Sequence, residues 1–293
     1  MQESNSNSGV SYGRFYSWPR LLSFTLAMIL IEFFYTSITT GITIGTLERD
    51  AEVGLTLAVF LVWLVYYLKL RPYHVFLLIW LSMFVVRFFN NMIEGYFFTD
   101  VFGSASVFIM AIAMSILISF LVAAAAGFIL LHPEFNESLW ARSREMISRR
   151  SRNSWIIRII AASPLFFIVY FAFGMAVSPF VYQYYQDPTL GLKIPPFTVM
   201  IPIELMRGLI FTLALIPLIV AVGTSKPYVF IATSMMLFIP GSLIPMIEAP
   251  LPVQIIPFHI AELLADSLVF GLILTWLFTP PGKRLSAGLA IDA

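Results

Sequence analysis

Eight stretches of apolar sequence decide what this chain can become, because each approaches the roughly 20 residues a helix needs to cross about 30 Å of hydrocarbon. They run from Leu21 to Ile44, Val53 to Leu70, Val75 to Phe98, Ser104 to Leu131, Trp155 to Tyr182, Phe197 to Val222, Val229 to Ile247 and Val253 to Phe278. Of the 293 residues, 59% are hydrophobic and 11% charged, against roughly 25% charged in soluble domains. The mean hydropathy is +0.90. A soluble fold is excluded, and 28 Phe, 12 Tyr and 6 Trp exclude a solvated disordered chain. The expectation is an all-α, polytopic transmembrane helical bundle of about eight spans. The seventh span is the least regular: Ile239-Pro240-Gly241 and Pro245 interrupt it, which leaves a re-entrant or unwound segment open, with Pro240-Gly241 as the expected break.

Short loops rich in Lys and Arg stay cytoplasmic, and an eight-span chain sorts its charges cleanly by that rule. With the N-terminus inside, the cytoplasmic face receives Arg14, Arg20, Lys69, Arg71, Arg142, Arg144, Arg149, Arg150, Arg152, Arg158, Lys226, Lys283 and Arg284. The outer face receives Arg49 and Lys193, together with Glu48, Asp50, Glu52, Asp100, Asp187 and Glu248. Both termini are thus expected in the cytoplasm. The organisation is an N-terminal tail (1–20), spans 1–4 (21–131), a basic cytoplasmic loop (132–154), spans 5–8 (155–278) and a C-terminal tail (279–293). The first twenty residues lack a signal peptide's apolar core, so the first span is expected to be an uncleaved anchor. Compact loops suit a prokaryotic plasma membrane. From Trp140 to Arg158 the chain reads as an amphipathic helix, with Trp140, Met146 and Ile147 in lipid and five of its six arginines toward headgroups. Its expected partner is the bilayer itself, with anionic lipid or a cytoplasmic protein at the arginines. A net charge of +1 gives no footprint for nucleic acid.

Charged side chains cost about 2.5–3.5 kcal/mol each at a span centre, so those kept there face a protein interior and are functional candidates. Glu32, Arg87, Glu94, Glu204, Arg207, His259, Glu262 and Asp266 all fall inside spans, beside Asn90 and Asn91. At 1.5 Å per residue, Glu94 lies roughly 6 Å from the outer boundary, Glu204 and Arg207 about 10 and 15 Å, and Glu262 about 13 Å. Glu32 sits near mid-span. The pattern predicts a polar cavity open to the exterior with Asp266 at its floor. Helical spacing puts Arg87, Asn90, Asn91 and Glu94 on one stripe and His259, Glu262 and Asp266 on another. Glu204 and Arg207 can pair locally. Carboxylates remain in excess, and buried carboxylates short of cations either take up protons or bind a cation. Gly103, Ala123 to Ala126, Gly127, Gly174 and Ser178 are expected to allow close helix approach. Pro202, Pro217, Pro240, Pro245 and Pro257 are expected to free backbone carbonyls in the last three helices.

An internal similarity adds to this. Phe24-Thr25, Met28-Ile29 and Ile31-Glu32 match Phe197-Thr198, Met200-Ile201 and Ile203-Glu204 with one gap, and each series meets a second Glu two spans later, at Glu94 and Glu262. Spans 1–3 and 6–8 would then form an inverted repeat, a recurrent transporter design. Pro240-Gly241 has no counterpart in the second span.

The chain has no Cys, which removes disulfides, thiolate metal sites and cysteine nucleophiles. It has no phosphate-binding glycine loop for ATP. Glu204 with Arg207, followed by His259 on a later span, faintly resembles the CAAX-type intramembrane proteases. The pattern departs from that family: Ile203 stands where a second Glu belongs, Arg207 is one residue too close, and His259 is the one deep histidine, so the activity is not carried over. A hard, oxygen-rich metal set of His259, Glu262, Asp266 and Glu94 stays open, and no cofactor is specified. The leading expectation is a secondary transporter or permease whose substrate- or cation-binding residues are Glu32, Arg87, Asn91, Glu94, Glu204, Arg207, His259, Glu262 and Asp266, in a cavity built from spans 1, 3, 6 and 8. An intramembrane metal-dependent or acid–base enzyme and a non-catalytic membrane subunit or assembly factor are the alternatives.

Overall fold

The computed structural model of the chain describes residues 16–39, 41–130, 135–249 and 251–280. Eight helices are long and apolar enough to cross a membrane: span 1 (Trp18–Thr39), span 2 (Ile44–Leu68), span 3 (Pro72–Phe98), span 4 (Ala105–Ile129), span 5 (Arg152–Tyr185), span 6 (Phe197–Val222), span 7 (Lys226–Glu248) and span 8 (Ile256–Phe278). Among the described residues there are no strands, only isolated bridges between loops. The protein is a multi-pass, all-helical membrane bundle. Span 1 shows how sequence sets burial. Leu22, Leu26, Leu30, Phe34 and Ile38 are exposed as a lipid-facing stripe, while Phe24, Met28, Glu32 and Thr36 recur at the same four-residue interval on the buried face. The spacing that gives this helix one exposed and one buried face therefore also carries Glu32 into the interior.

Span ends follow capping chemistry rather than hydropathy alone. Span 2 starts at Ile44, nine residues before its apolar run, because the Thr43 hydroxyl accepts from the Thr46 N–H (3.1 Å) and the Thr46 hydroxyl accepts from the Thr43 N–H (2.8 Å). Glu48, Arg49, Asp50 and Glu52 thus ride on the first turns of a helix and not in a loop. Asp50 is buried and accepts from the Thr36 hydroxyl at 2.7 Å. Pro257 lies in the first turn of span 8, where its missing N–H frees no interior carbonyl. Gly103 meets nothing within 4 Å and belongs to an open loop, not a helix contact.

Spans 3 and 7 each carry a π-helical segment, at Met83–Phe89 and Ile239–Leu243. Span 7 is consequently continuous: the expected break at Pro240-Gly241 is a wide turn in which the Ile244 N–H reaches the Ile239 carbonyl. Proline lacks an N–H and crowds the carbonyl four residues back, and one extra residue per turn relieves both defects. The two wide turns face each other. A Cβ on Gly241 would come within 2.9 Å of Val86 Cγ1, so glycine is required for this approach. These interruptions fall in spans 3 and 7, which the repeat of spans 1–3 with 6–8 does not align.

The basic loop contains a helix, Leu139–Ser148. Trp140 and Ile147 are exposed, but Met146 is buried in the bundle rather than in lipid. The arginines also divide differently from expectation. Arg142 donates to the Ala221 carbonyl at the end of span 6. Arg150 and Arg158 donate to the Leu277 carbonyl at the end of span 8 (2.5 and 2.7 Å). Cations at helix C-termini satisfy orphan carbonyls and the helix dipole. Arg144, Arg149 and Arg152 are exposed. Tyr16 packs edge-on to Phe135 (6.2 Å) and Arg150 reaches the Thr279 carbonyl (2.9 Å). The described ends of the chain and the basic loop therefore occupy the same end of the bundle. Arg14, Lys283, Arg284 and the outer parts of both tails lie outside the described residues.

Candidate functional site

A cavity of about 690 Å³ occupies the other end of the bundle. Residues 98–102, from the end of span 3 and the loop after it, and 189–192, from the loop after span 5, form its rim. Those loops pair: the Asp100 N–H donates to the Gly191 carbonyl (2.9 Å), the Lys193 N–H to the Phe98 carbonyl (2.8 Å), and Lys193 and Asp100 form an ion pair. Beside them, the Thr189 hydroxyl and N–H hold the exposed Asp187 carboxyl below its usual range. The inner wall is apolar, with Phe211, Leu237 and Phe270 from spans 6, 7 and 8. Arg87, Asn91, Glu94, Arg207, His259, Glu262 and Asp266 all line the chamber; Glu32 and Glu204 do not. Those two are covered by the arginines they pair with, so of the residues expected to bind solute or cation they are the two that do not face the cavity. Spans 5 and 7 also contribute walls, through Phe166, Tyr170, Ser242 and Glu248, so the chamber is not made by spans 1, 3, 6 and 8 alone.

The charged groups resolve into three clusters. In the first, Arg87 Nη1 and Nη2 donate to Glu32 Oε1 and Oε2 (2.6 and 2.7 Å), a bidentate geometry, and Nη2 also donates to Glu248 Oε1 (2.8 Å). Arg87 is 1% exposed and its guanidinium stands 4.7 Å from the Phe88 ring. In the second, Arg207 Nη1 donates to both oxygens of Glu204 (2.8 and 3.0 Å), Nε to Asn90 Oδ1 (3.1 Å), and Nη2 to Glu94 Oε2. The Tyr170 hydroxyl donates to Glu94 Oε1 (3.4 Å). The local pairing expected of Glu204 and Arg207 is present, and Glu94 shares it.

The π turn in span 3 explains this partition. A regular helix would align Arg87, Asn90, Asn91 and Glu94 on one stripe, but two i, i+4 pairs diverge instead. Arg87 and Asn91 turn toward spans 1 and 7, while Asn90 and Glu94 turn toward Arg207 on span 6. Asn91 Nδ2 donates to the Arg87 carbonyl (2.7 Å) and the Gly241 carbonyl (2.8 Å). It thereby satisfies a backbone group in each wide turn, where an unmet carbonyl in a membrane interior is expensive.

The third cluster lies on span 8. His259 Nδ1 and Glu262 Oε2 are 2.9 Å apart, and Asp266 follows one turn later, about 15 Å along the span from its start. Opposite Glu262, span 5 presents Gly174, where a Cβ would lie 3.3 Å from Glu262 Oε1. Glu262 and Asp266 are 8% and 7% exposed. No guanidinium hydrogen-bonds to either, and Asp266 Oδ1 has no hydrogen-bond partner among the described residues. Around the chamber, apart from Asp100 at the rim, which pairs with Lys193, the carboxyls are Glu32, Glu94, Glu204, Glu248, Glu262 and Asp266, against the guanidiniums of Arg87 and Arg207. Full ionisation would leave strong uncompensated negative charge in a low-dielectric interior, so this set calls for protons or a cationic guest. The metal set weighed from sequence does not assemble: among the described residues no three His, Asp or Glu side chains converge as metal ligands.

Glu248 and Tyr170 are the site residues that sequence reasoning missed. From sequence Glu248 reads as an outer-face charge just past a span end, yet it stands seven residues from Gly241, two turns along the same helix face. Tyr170 carried no signal among so many aromatics. No family model matches the chain, and no curated protein or solved structure proves similar to it.

Proposed function

We propose that the protein is a secondary transporter whose chamber, open toward the exterior, binds a cationic solute or exchanges it for protons. The observation that carries this reading is the excess of carboxylate over guanidinium around a chamber at the end of the bundle away from the basic loop. Arg87 and Arg207 each hold two carboxylates by hydrogen bonds, while Glu262 and Asp266, which no guanidinium among the described residues reaches, supply the charge a cation would neutralise. The orientation, with the basic loop in the cytoplasm, rests on the positive-inside pattern, and a prokaryotic plasma membrane on the compact loops. The inverted relation of spans 1–3 and 6–8 belongs to the same proposal and supplies a route to alternating access.

The test is flux in proteoliposomes carrying a pH-sensitive dye inside. An inward gradient of an organic cation should drive a luminal pH change in the wild type that Glu262→Gln and Asp266→Asn abolish. Equal flux in those variants, with protein incorporation matched, would end the assignment. An acid–base enzyme is the second reading, favoured by the His259–Glu262 contact inside the chamber. It requires that the solute emerge chemically changed, so recovery of intact solute from the lumen separates the two.

A further inference from the structure

We infer that the seat of the chamber is Asp266 with Glu262, and that its guest is a protonated amine bearing at least one N–H and an aromatic or similarly flat apolar body. The inference rests on the reading of the chamber as a solute site and narrows it to a substrate class. Three observations converge on it.

First, the other carboxylates are spoken for. Glu32 and Glu248 are hydrogen-bonded to Arg87, and Glu94 and Glu204 to Arg207. A solute would have to break a charge-assisted bond to use any of them, whereas Asp266 is free of such a bond and more than nine-tenths buried.

Second, the unmet group is an acceptor. A buried carboxylate oxygen without a donor carries the full desolvation penalty of that group, and an ammonium N–H supplies charge and donor together. A quaternary ammonium brings the charge without the donor. A bare metal ion finds no converging ligand set among the described residues, and a chamber of about 690 Å³ is far larger than an ion needs.

Third, the wall next to the seat is a connected group of rings. Phe270 follows Asp266 by one helical turn on span 8. Phe166 lies 5.0 Å from Phe270 and 5.4 Å from Phe211 between ring centroids, and stacks with Tyr170 at 6.1 Å. An apolar body placed against these rings puts its ammonium toward Asp266, so charge and shape recognise opposite ends of one guest.

The experiment uses the full-length protein in detergent with 2-phenylethylamine, its N,N,N-trimethyl derivative, the neutral isostere 2-phenylethanol and magnesium chloride. Binding is read by titration calorimetry and by the shift in thermal unfolding. The amine should bind about tenfold or more tightly than either organic analogue, and Asp266→Asn should remove that preference. Asp187→Asn, in an exposed loop, should leave it intact. Should Asp266→Asn fail to fold, Leu263→Trp narrows the chamber without touching a charge, and it should abolish amine binding. Equal binding of the trimethyl derivative would overturn the donor argument, and equal binding of the alcohol the charge argument. A magnesium shift that depends on Asp266 would replace the amine with a metal. Flux in the same preparations keeps the two readings apart. Amine binding without any flux retains this seat and removes the transporter. Glu262-dependent flux of another solute without amine binding does the reverse.

Discussion

Arg87 is the residue whose loss the structure prices most clearly. Its guanidinium makes three short charge-assisted bonds to two carboxylates on spans 1 and 7, and the Glu32 side chain is 1% exposed. Arg87→Met keeps most of the apolar stem and deletes the cation, leaving Glu32 and Glu248 against each other without a counter-charge. Breaking a buried pair in this way costs about 3–5 kcal/mol. Glu32→Gln leaves Arg87 still bonded to Glu248, so its cost is a lost charged hydrogen-bond set, about 1.5–3 kcal/mol. Glu248→Gln should cost least, because that side chain is 25% exposed and gives Arg87 a single bond. The double variant Glu32→Gln/Arg87→Met should be more stable than Arg87→Met alone, since the buried anion responsible for most of the damage is gone. Equilibrium unfolding in mixed micelles, titrated with denaturing detergent, measures all four. The reasoning fails if Arg87→Met lies within about 1 kcal/mol of wild type, or if Glu32→Gln costs more than Arg87→Met, because each would mean that Glu32 does not depend on the arginine.

Other expectations follow from the same contacts. Asn91→Leu should destabilise by about 1–3 kcal/mol, since the Arg87 and Gly241 carbonyls lose their shared donor; the same unfolding titration reads it. Gly174→Val should displace Glu262, whose Oε1 already lies 3.3 Å from the position of a Cβ, and should weaken amine binding while leaving the Arg87 cluster's unfolding profile unchanged. Arg150→Ala with Arg158→Ala should destabilise the end of span 8 by about 1–2 kcal/mol through loss of its terminal cap. Hydrogen exchange should then rise at 274–279 and not at the chamber.

Much of the architecture was legible because hydrocarbon imposes a length, and every span announces itself by about 20 apolar residues. Its charged start is why the apolar run of span 2 began nine residues late: Glu48 to Glu52 lower the local hydropathy, while the Thr43 cap that starts the helix is a matter of two hydroxyls. The intramembrane ionisable residues were legible individually, since their cost marks them. Their partners were less so. A uniform 3.6-residue period cannot foresee that one π turn sends Arg87 toward span 1 and Glu94 toward span 6. Nor does it show that the arginines cover Glu32 and Glu204 from the chamber. In the basic loop, composition alone separates no arginine that caps a helix from one that meets lipid, because both need an amphipathic segment beside the bilayer.

The central claim, a cation-selective chamber reached from the end opposite the basic loop, is most directly tested on Ser242→Cys, a conservative change at the chamber wall in a chain that has no other Cys. Intact cells are treated with small thiol reagents of similar size, one cationic and one anionic, and the two rates are compared on Ser242→Cys and on Ser242→Cys/Asp266→Asn. The account expects labelling from outside, faster with the cationic reagent, and a smaller rate ratio in the double variant. Labelling only after permeabilisation, or equal rates for the two charges, would contradict it.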